Sequence, residues 1–376
     1  MSDTEEIIEY DAILVDTSIF DRNALKLESG LLSKLNQFKK SHIKFIFPDV
    51  IKSEVQNHLE KKIKVSRNAL EKSINDAGDH LFFDGSALNN AKKLLIDSEE
   101  VENLAISRLS SFIENTGALI IESSKYVSVE KLLEQYFSNK APFAETGKKK
   151  NEFPDAIILL AVEKWAEENN FSVLAIADDK DWKNYCDSSD NINYQNDFAE
   201  GLATFNKTNI PYTFIPNLES AMQNNQLNKF IHSIEIQLES VLEGLTPYQE
   251  ADSSFLVEGD GIYISFKKLL LPDNKFRMVE VDIDEGWIVL EVLASITIEA
   301  EGDFSFSIRD SIDKDYVSLG SNSVTVEVEF KSEILITIVG DLEGDINELD
   351  IESVEVIDPI ETIYFGTIDP DYGEYD

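Results

Sequence analysis

The chain has 376 residues, a length that accommodates about two or three domains with cores of their own. Its 72 acidic and 33 basic side chains give a formal net charge of -39, which argues against nonspecific coating of DNA and against binding to anionic membranes. A single cysteine excludes an intramolecular disulfide, and the four scattered histidines argue against a structural zinc site. The acidic N-terminus lacks the apolar segment of a signal peptide, and no apolar run reaches transmembrane length, so we expect a cytoplasmic protein without membrane contact.

The acidity is concentrated in the C-terminal third. From Glu250 onward the chain carries 32 acids and 7 bases, a net charge of -25, whereas the first 249 residues carry a net charge of -14. An acidic chain can still act on nucleic acid, because divalent cations bridge carboxylates and phosphates.

Three short apolar runs in the first 180 residues predict buried parallel strands, and each is followed by acids. The runs are AILV, IKFIF and SVLAIA, and the acids that follow them are Asp16, Glu54, Asp179 and Asp181. Taken alone, Asp16 is also typical of a helix N-cap, and Glu54 is also typical of a solvent-exposed acid on a helix. Open α/β sheets bind ligands at the carboxyl ends of their strands, so the pattern also indicates a shared site.

A further acid, Asp155, follows Pro154 at the start of a predicted helix, near the positive end of its dipole. Two basic patches flank the acids, and each is either a phosphate contact or a solvated surface. The first patch is Lys61, Lys62, Lys64 and Arg67; the second is Lys148, Lys149 and Lys150.

After this region the pattern changes. Residues 218–245 predict one long connector helix with an apolar side. From Tyr248 onward, apolar and polar residues alternate, with one strand predicted to end at Phe330 and the next to contain Ile334, and with turns at Gly259-Asp260 and Gly340-Asp341. About eight such strands predict an antiparallel β-sandwich. The predicted organisation is an α/β domain over 1–216, a connector helix over 217–245 and an acidic β-sandwich domain over 246–376.

Four segments in this order, AILVDTSIF, FPDVIKSEV, NEFPDAIILLA and LAIADDKDW, resemble the PIN-domain nucleases. The resemblance covers about residues 10 to 216 and is closest to larger bacterial PIN domains with a long helical insert. No single segment is specific, but the four together are. The resemblance implies a parallel sheet flanked by helices.

The resemblance also implies a metal-binding, catalytic set of acids: Asp16, Glu54, Asp155, Asp179 and Asp181. Thr17 and Ser18 occupy the small polar position after the first acid and, like the lysine run 148–150, are candidates for contacts to substrate phosphates. Ala177 departs from the family, where Ser or Thr is common. Mg²⁺ or Mn²⁺ held by carboxylates would activate water and relieve the charge on a phosphodiester.

The implied function is metal-dependent endonuclease activity, specifically endoribonuclease cleavage of single-stranded RNA, with DNA as an open alternative, in a toxin or defence effector. A second hypothesis is a non-catalytic RNA- or protein-binding module on a PIN scaffold, regulated by the acidic C-terminal domain. A third is a structural or regulatory protein whose working part is that acidic domain. The domain itself would restrain the nuclease, dock a basic protein partner, or only maintain solubility.

Overall fold

The computed structural model describes residues 9–81, 85–96, 100–143, 152–206, 214–224, 226–282, 285–310, 315–342 and 344–371. The chain divides into two compact units, Met1–Phe205 and Asn206–Asp376. In the ranges described, no helix combines the length and apolar character needed to cross a membrane. The lysine run 148–150 lies outside the described residues, so its role stays a prediction.

The first unit is built on a five-stranded parallel sheet, which confirms the predicted fold class for this part of the chain. The strands are β1 (Ala12–Val15), β2 (Lys44–Pro48), β3 (Leu119–Ile121), β4 (Val173–Ile176) and β5 (Ile192–Gln195), in the order β3-β2-β1-β4-β5. All residues of β1 and β4 are buried, as continuous apolar runs in a covered parallel sheet require. The two edge strands, β3 and β5, were not predicted, because they are short and β5 has only one buried residue.

The described part of the first unit and its boundary contain nine helices. They are α1 (Thr17–Arg22), α2 (Gly30–Ser33), α3 (Asp49–Leu81), α4 (Gly85–Leu95), α5 (Val101–Thr116), α6 (Val129–Ser138), α7 (Phe153–Asn169), α8 (Lys180–Cys186) and α9 (Phe198–Asn206). Short 3-10 helices span Lys34–Lys40 and Ser123–Lys125. The segment between Glu54 and Asp155 is mainly helical, as predicted, and it contains β3 in addition.

The strand order positions the site. From β1 the chain adds β2 and β3 on one side, and later β4 and β5 on the other. The direction of winding therefore changes between β1 and β4, and open α/β sheets bind ligands in the crevice at such a point. Asp16 follows β1 and Asp179 follows β4, so both acids flank this crevice.

The second unit contains the antiparallel all-β region, again as predicted, together with two helices. The helices are α10 (Phe214–Gln223) and α11 (Asn228–Glu243), and the strands are β6 (Tyr248–Asp252), β7 (Leu256–Leu270), β8 (Arg277–Asp282), β9 (Trp287–Arg309), β10 (Tyr316–Val339), β11 (Asp350–Val356) and β12 (Thr362–Thr367). A 3-10 helix spans Ile346–Glu348. Strands β7 to β11 form one five-stranded antiparallel sheet, while β6 and β12 form a two-stranded parallel sheet.

The single connector helix predicted over 217–245 is wrong, because α10 ends at Gln223 and α11 begins at Asn228. The apolar side of these two helices is not that of a connector between domains. It packs into the core of the second unit through Leu218, Leu227, Phe230, Ile234, Leu238 and Leu242. Phe214 and Ile215 form the start of α10.

The long strands of the second unit also differ from the sequence-based expectation. β9 and β10 have 23 and 24 residues, and they pair continuously past the break that was predicted between Phe330 and Ile334. Ser332 interrupts the apolar alternation in the sequence, but it is buried within the strand. Gly259 lies at a bulge in β7, not in a turn, because the register with β9 shifts between Gly259 and Gly261.

A close contact at Gly302 of β9 yields a test of this arrangement. A Cβ at Gly302 would lie 2.6 Å from Cζ of Phe365 and 2.8 Å from Nε2 of Gln249. We expect Gly302→Ala to lower the free energy of unfolding by about 1–3 kcal/mol, measured by urea denaturation. Gly261→Ala is the matched control, because the nearest atom to its Cβ would be 4.0 Å away. Equal stabilities of the two variants would contradict the packing of Phe365 over β9.

Candidate functional site

Asp16 is held in one orientation at the end of β1. Only 6% of the residue is exposed, and its Oδ2 accepts hydrogen bonds from the backbone N of Ser18, at 3.0 Å, and from the Ser18 hydroxyl. Burial raises the pKa of Asp16, while the hydrogen bonds from Ser18 lower it. The residue is thus the N-cap of α1 that the sequence allowed, and at the same time a buried acid facing the crevice.

Glu54 is joined to the same place by Thr17. The Thr17 hydroxyl donates to Oε2 of Glu54 at 2.7 Å, which ties the second turn of α3 to the end of β1. The Ser18 hydroxyl, besides donating to Asp16, accepts from the backbone N of Asp178 at 3.3 Å and so links the ends of β1 and β4. Thr17 and Ser18 were candidates for phosphate contacts; in this structure their hydroxyls position carboxylates.

Asp155 shows that the acids share one neighbourhood. It lies half-buried in the first turn of α7, and Nε1 of the buried Trp182 donates to its Oδ1 at 2.9 Å. Burial, and then the negative charges of Asp16, Asp179 and Glu54, raise the pKa of Asp155 to about 7 against the lowering effect of Trp182. Coulomb interactions weaken with distance, so three acids from three other parts of the chain lie around this carboxyl group.

The fifth predicted acid, Asp181, lies further out. Asp179 caps α8, and its Oδ1 accepts from the backbone N of Asp181 at 2.8 Å. Burial raises the pKa of Asp181, and the charges of Asp179 and Glu152 raise it further. Asp181 therefore belongs to the rim of the cluster, together with Glu152, an acid that the sequence patterns did not single out.

Three other residues near the strand ends have roles that the sequence did not reveal. Asp49 accepts from the backbone N of Ser123 at 3.1 Å and so joins the start of α3 to the segment after β3. Asp178 pairs with Arg22 at 3.3 Å and is exposed. Burial raises the pKa of the Tyr194 hydroxyl on β5, and the charges of Asp178, Asp179, Cys186 and Asp16 raise it further, as expected of a residue beside the cluster. Its strand was not predicted, so no signal marked Tyr194.

The cluster has the chemistry of a site for a hard cation, although the carboxylates are apart. Across the ranges that the structure describes, no three acidic, histidine or cysteine side chains approach closely enough to form a ready-made metal shell. Partly buried carboxylates repel one another, so this spacing is expected of the acids alone. Carboxylate oxygens without thiolate or imidazole suit Mg²⁺ or Mn²⁺. The residues that would hold such an ion are Asp16, Glu54, Asp155 and Asp179.

The raised pKa of Asp155 predicts a pH-dependent effect on the metal-free protein. The folded protein holds the Asp155 proton more tightly than the unfolded chain, so the ionised form opposes folding fully above pH 7, and protonation removes this penalty as the pH falls. Asp155→Asn keeps an acceptor for Trp182 but carries no charge. In EDTA, we expect it to raise the Tm by about 4 °C at pH 8 and by clearly less at pH 5.

Differential scanning fluorimetry across this pH range measures the effect. The matched control is Asp178→Asn. Asp178 is paired with Arg22 at 3.3 Å, so its removal should not raise the Tm. A difference between Asp155→Asn and the wild type that does not change with pH would contradict the clustered arrangement.

Comparison with known proteins agrees with the geometry. Residues 13–182 match the family model described as the PIN domain, and this range includes all five predicted acids. No curated protein and no solved structure matches the chain significantly. PIN domains form a nuclease family whose members are in general metal-dependent. The region from residue 13 to residue 182 is therefore similar to the PIN domains, the family that the four sequence segments resemble.

Proposed function

We propose that the first unit is a Mg²⁺- or Mn²⁺-dependent endoribonuclease that cleaves single-stranded RNA. The observation that carries this proposal is the electrostatic coupling of Asp155 to Asp16, Glu54 and Asp179 at one edge of the parallel sheet. Mutually repelling carboxylates gain free energy from a divalent cation between them. The membership of residues 13–182 in a nuclease family supports the same chemistry.

The chain's own residues prepare the site. A bound cation would supply the activation of water and the neutralisation of phosphate charge. Ser18, Thr17 and Trp182 orient the carboxylates of Asp16, Glu54 and Asp155, respectively. Asp16 is nearly inaccessible to water, which strengthens its attraction for a cation.

The preference for single-stranded RNA is the family's tendency, and an aromatic cluster beside Asp155 supports it. Phe153 stacks on Tyr136 with ring centroids 5.1 Å apart, and Tyr136 contacts Phe137 at 5.3 Å. Phe137 is 76% exposed. Unpaired bases stack on exposed aromatic rings, whereas a duplex offers none of its base faces.

The first test is cleavage of labelled RNA and DNA oligonucleotides by the full chain. We expect cleavage of single-stranded RNA with Mg²⁺ or Mn²⁺ and none with EDTA. Asp16→Asn should lower the rate by at least about 100-fold, because even indirect metal-site substitutions cost 10–100-fold. Asn still caps a helix, so the fold should persist. Asp178→Asn should cleave like the wild type; activity of Asp16→Asn at the wild-type rate would contradict the assignment.

A second test measures metal binding without reference to cleavage. Mn²⁺ should raise the Tm of the wild type, because a ligand that binds only the folded state stabilises it. The increase should be smaller in Asp16→Asn and in Asp179→Asn, each of which lacks one carboxylate. If both variants respond to Mn²⁺ as the wild type does, the cation binds elsewhere.

A non-catalytic RNA- or protein-binding module on the same scaffold is the second candidate. The separation of the carboxylates in the described part of the chain is the observation that favours it. Binding of single-stranded RNA without cleavage, together with a Tm indifferent to Mn²⁺, would select this alternative. A role as a toxin or defence effector extends the first proposal and requires that cellular RNA be the substrate.

A further inference from the structure

One edge of the five-stranded sheet in the second unit is left open. β11 pairs with β10 only from Ile334 to Val339. Just before that segment the Glu333 carbonyl accepts from the backbone N of Ile357 at 3.0 Å, and further up the strand the Ser321 carbonyl accepts from Asp371 at 3.4 Å. Between these points, residues 323–331 have no strand on their outer side among the residues that the structure describes. In this range the odd-numbered residues are exposed and the even-numbered residues are half-buried.

The opposite edge of the same sheet, β7, is built differently. Its register with β9 is broken by bulges between Gly259 and Gly261 and between Phe266 and Lys268. Bulges and edge lysines are ways of preventing the addition of another strand. The register of β10 with β9 is regular from Gly320 to Val339. Residues 323–331 also contain neither proline nor glycine. The open segment of β10 therefore has no bulge like those of β7, and its edge charges are Glu327, Glu329 and Lys331.

The hydrogen-bonding groups of this edge can be assigned. The carbonyls of Ser321 and Glu333 accept bonds from outside the β9–β10 pair, so odd-numbered residues point their backbone groups outward. Alternate residues of an antiparallel strand point to the same side. The residues with outward N–H and C=O groups are thus Ser323, Thr325, Glu327, Glu329 and Lys331.

The side chains around this edge define what could bind there. On one face, Glu327 lies opposite Glu299, and Thr325 lies opposite Glu301. Like charges on adjacent strands destabilise a sheet. Lys267 of β7 pairs with Glu299 at 2.8 Å and offsets part of this repulsion, and a cationic side chain on the open side of Glu327 would offset more of it. The other face of the edge is apolar, and its side chains are half-buried because they pack against the core of the second unit: Val324, Val326, Val328 and Phe330.

We propose that residues 323–331 of β10 bind, by strand addition, an extended segment of another protein in which basic and apolar residues alternate. The backbone edge supplies the hydrogen bonds, and the two faces select the side chains. A second copy of this chain fits poorly, because antiparallel pairing of two such edges brings Glu327 and Glu329 close to their counterparts. Nucleic acid is repelled by the same carboxylates. The inference does not depend on the nuclease proposal.

The test uses the full chain and a fluorescent nine-residue peptide of alternating Lys and Val. Fluorescence anisotropy should detect binding at physiological salt. The control is the same peptide N-methylated at every residue, which keeps the charges but has no N–H to donate. We expect the methylated peptide to bind at least about tenfold more weakly, because several backbone hydrogen bonds are lost. Equal binding of both peptides, or no binding of the first, would overturn the proposal.

Two substitutions at Glu327 distinguish the contribution of its backbone hydrogen bond to peptide binding from the contribution of its side-chain charge. Glu327→Pro removes an outward N–H without removing a bond to β9, and we expect at least about tenfold weaker binding. Glu327→Gln keeps the N–H, and the loss should be less than about fivefold. The Tm of each variant checks folding, and the comparison of peptides stands without any variant. A wild-type homodimer that Glu327→Pro abolishes would replace the proposed partner with a second copy.

Discussion

The repulsion among partly buried carboxylates is the constraint on which the first unit depends. Asp16, Glu54, Asp155 and Asp179 come from four different elements, and each brings a negative charge to the carboxyl edge of a sheet whose central strands are wholly buried. An arrangement of this kind opposes folding unless other contacts hold it. The buried apolar residues of β1, β4 and α7 supply that support, because their packing fixes the backbone positions from which the acids project.

The hydrogen bonds around the cluster keep the acids oriented while they repel one another. Each of three acids has one donor of its own: Ser18 for Asp16, Thr17 for Glu54 and Trp182 for Asp155. None of these donors carries a formal charge, so the negative potential of the crevice is left for a cation. Arg22 pairs with Asp178 at the exposed margin of this region. The hydrogen-bond donors of the site are therefore neutral, and the carboxylates that they orient are negative.

Much of this could be predicted from local sequence, and the failures share a cause. AILV and SVLAIA identified the central strands, and four segments identified the PIN domain, which the family match confirms. The edge strands β3 and β5 were missed because edge strands need few apolar residues, and Tyr194 was missed with them. The bond from Trp182 to Asp155 joins residues 27 apart, and no local pattern encodes such a contact. The connector helix was wrong because periodicity shows that a helix has an apolar side, not what that side packs against.

The division of the chain at residue 205 has a consequence for the order of events during synthesis. All five strands of the parallel sheet and all the clustered acids precede that position, and every strand of the acidic sheet follows it. Domains generally fold as units and the N-terminal one first, as the chain is made. The carboxylate cluster is therefore complete while β6 to β12 are still being translated. Any influence of the acidic unit on the first one begins only after translation has reached its last strands, so the newly made first unit passes through a period without it.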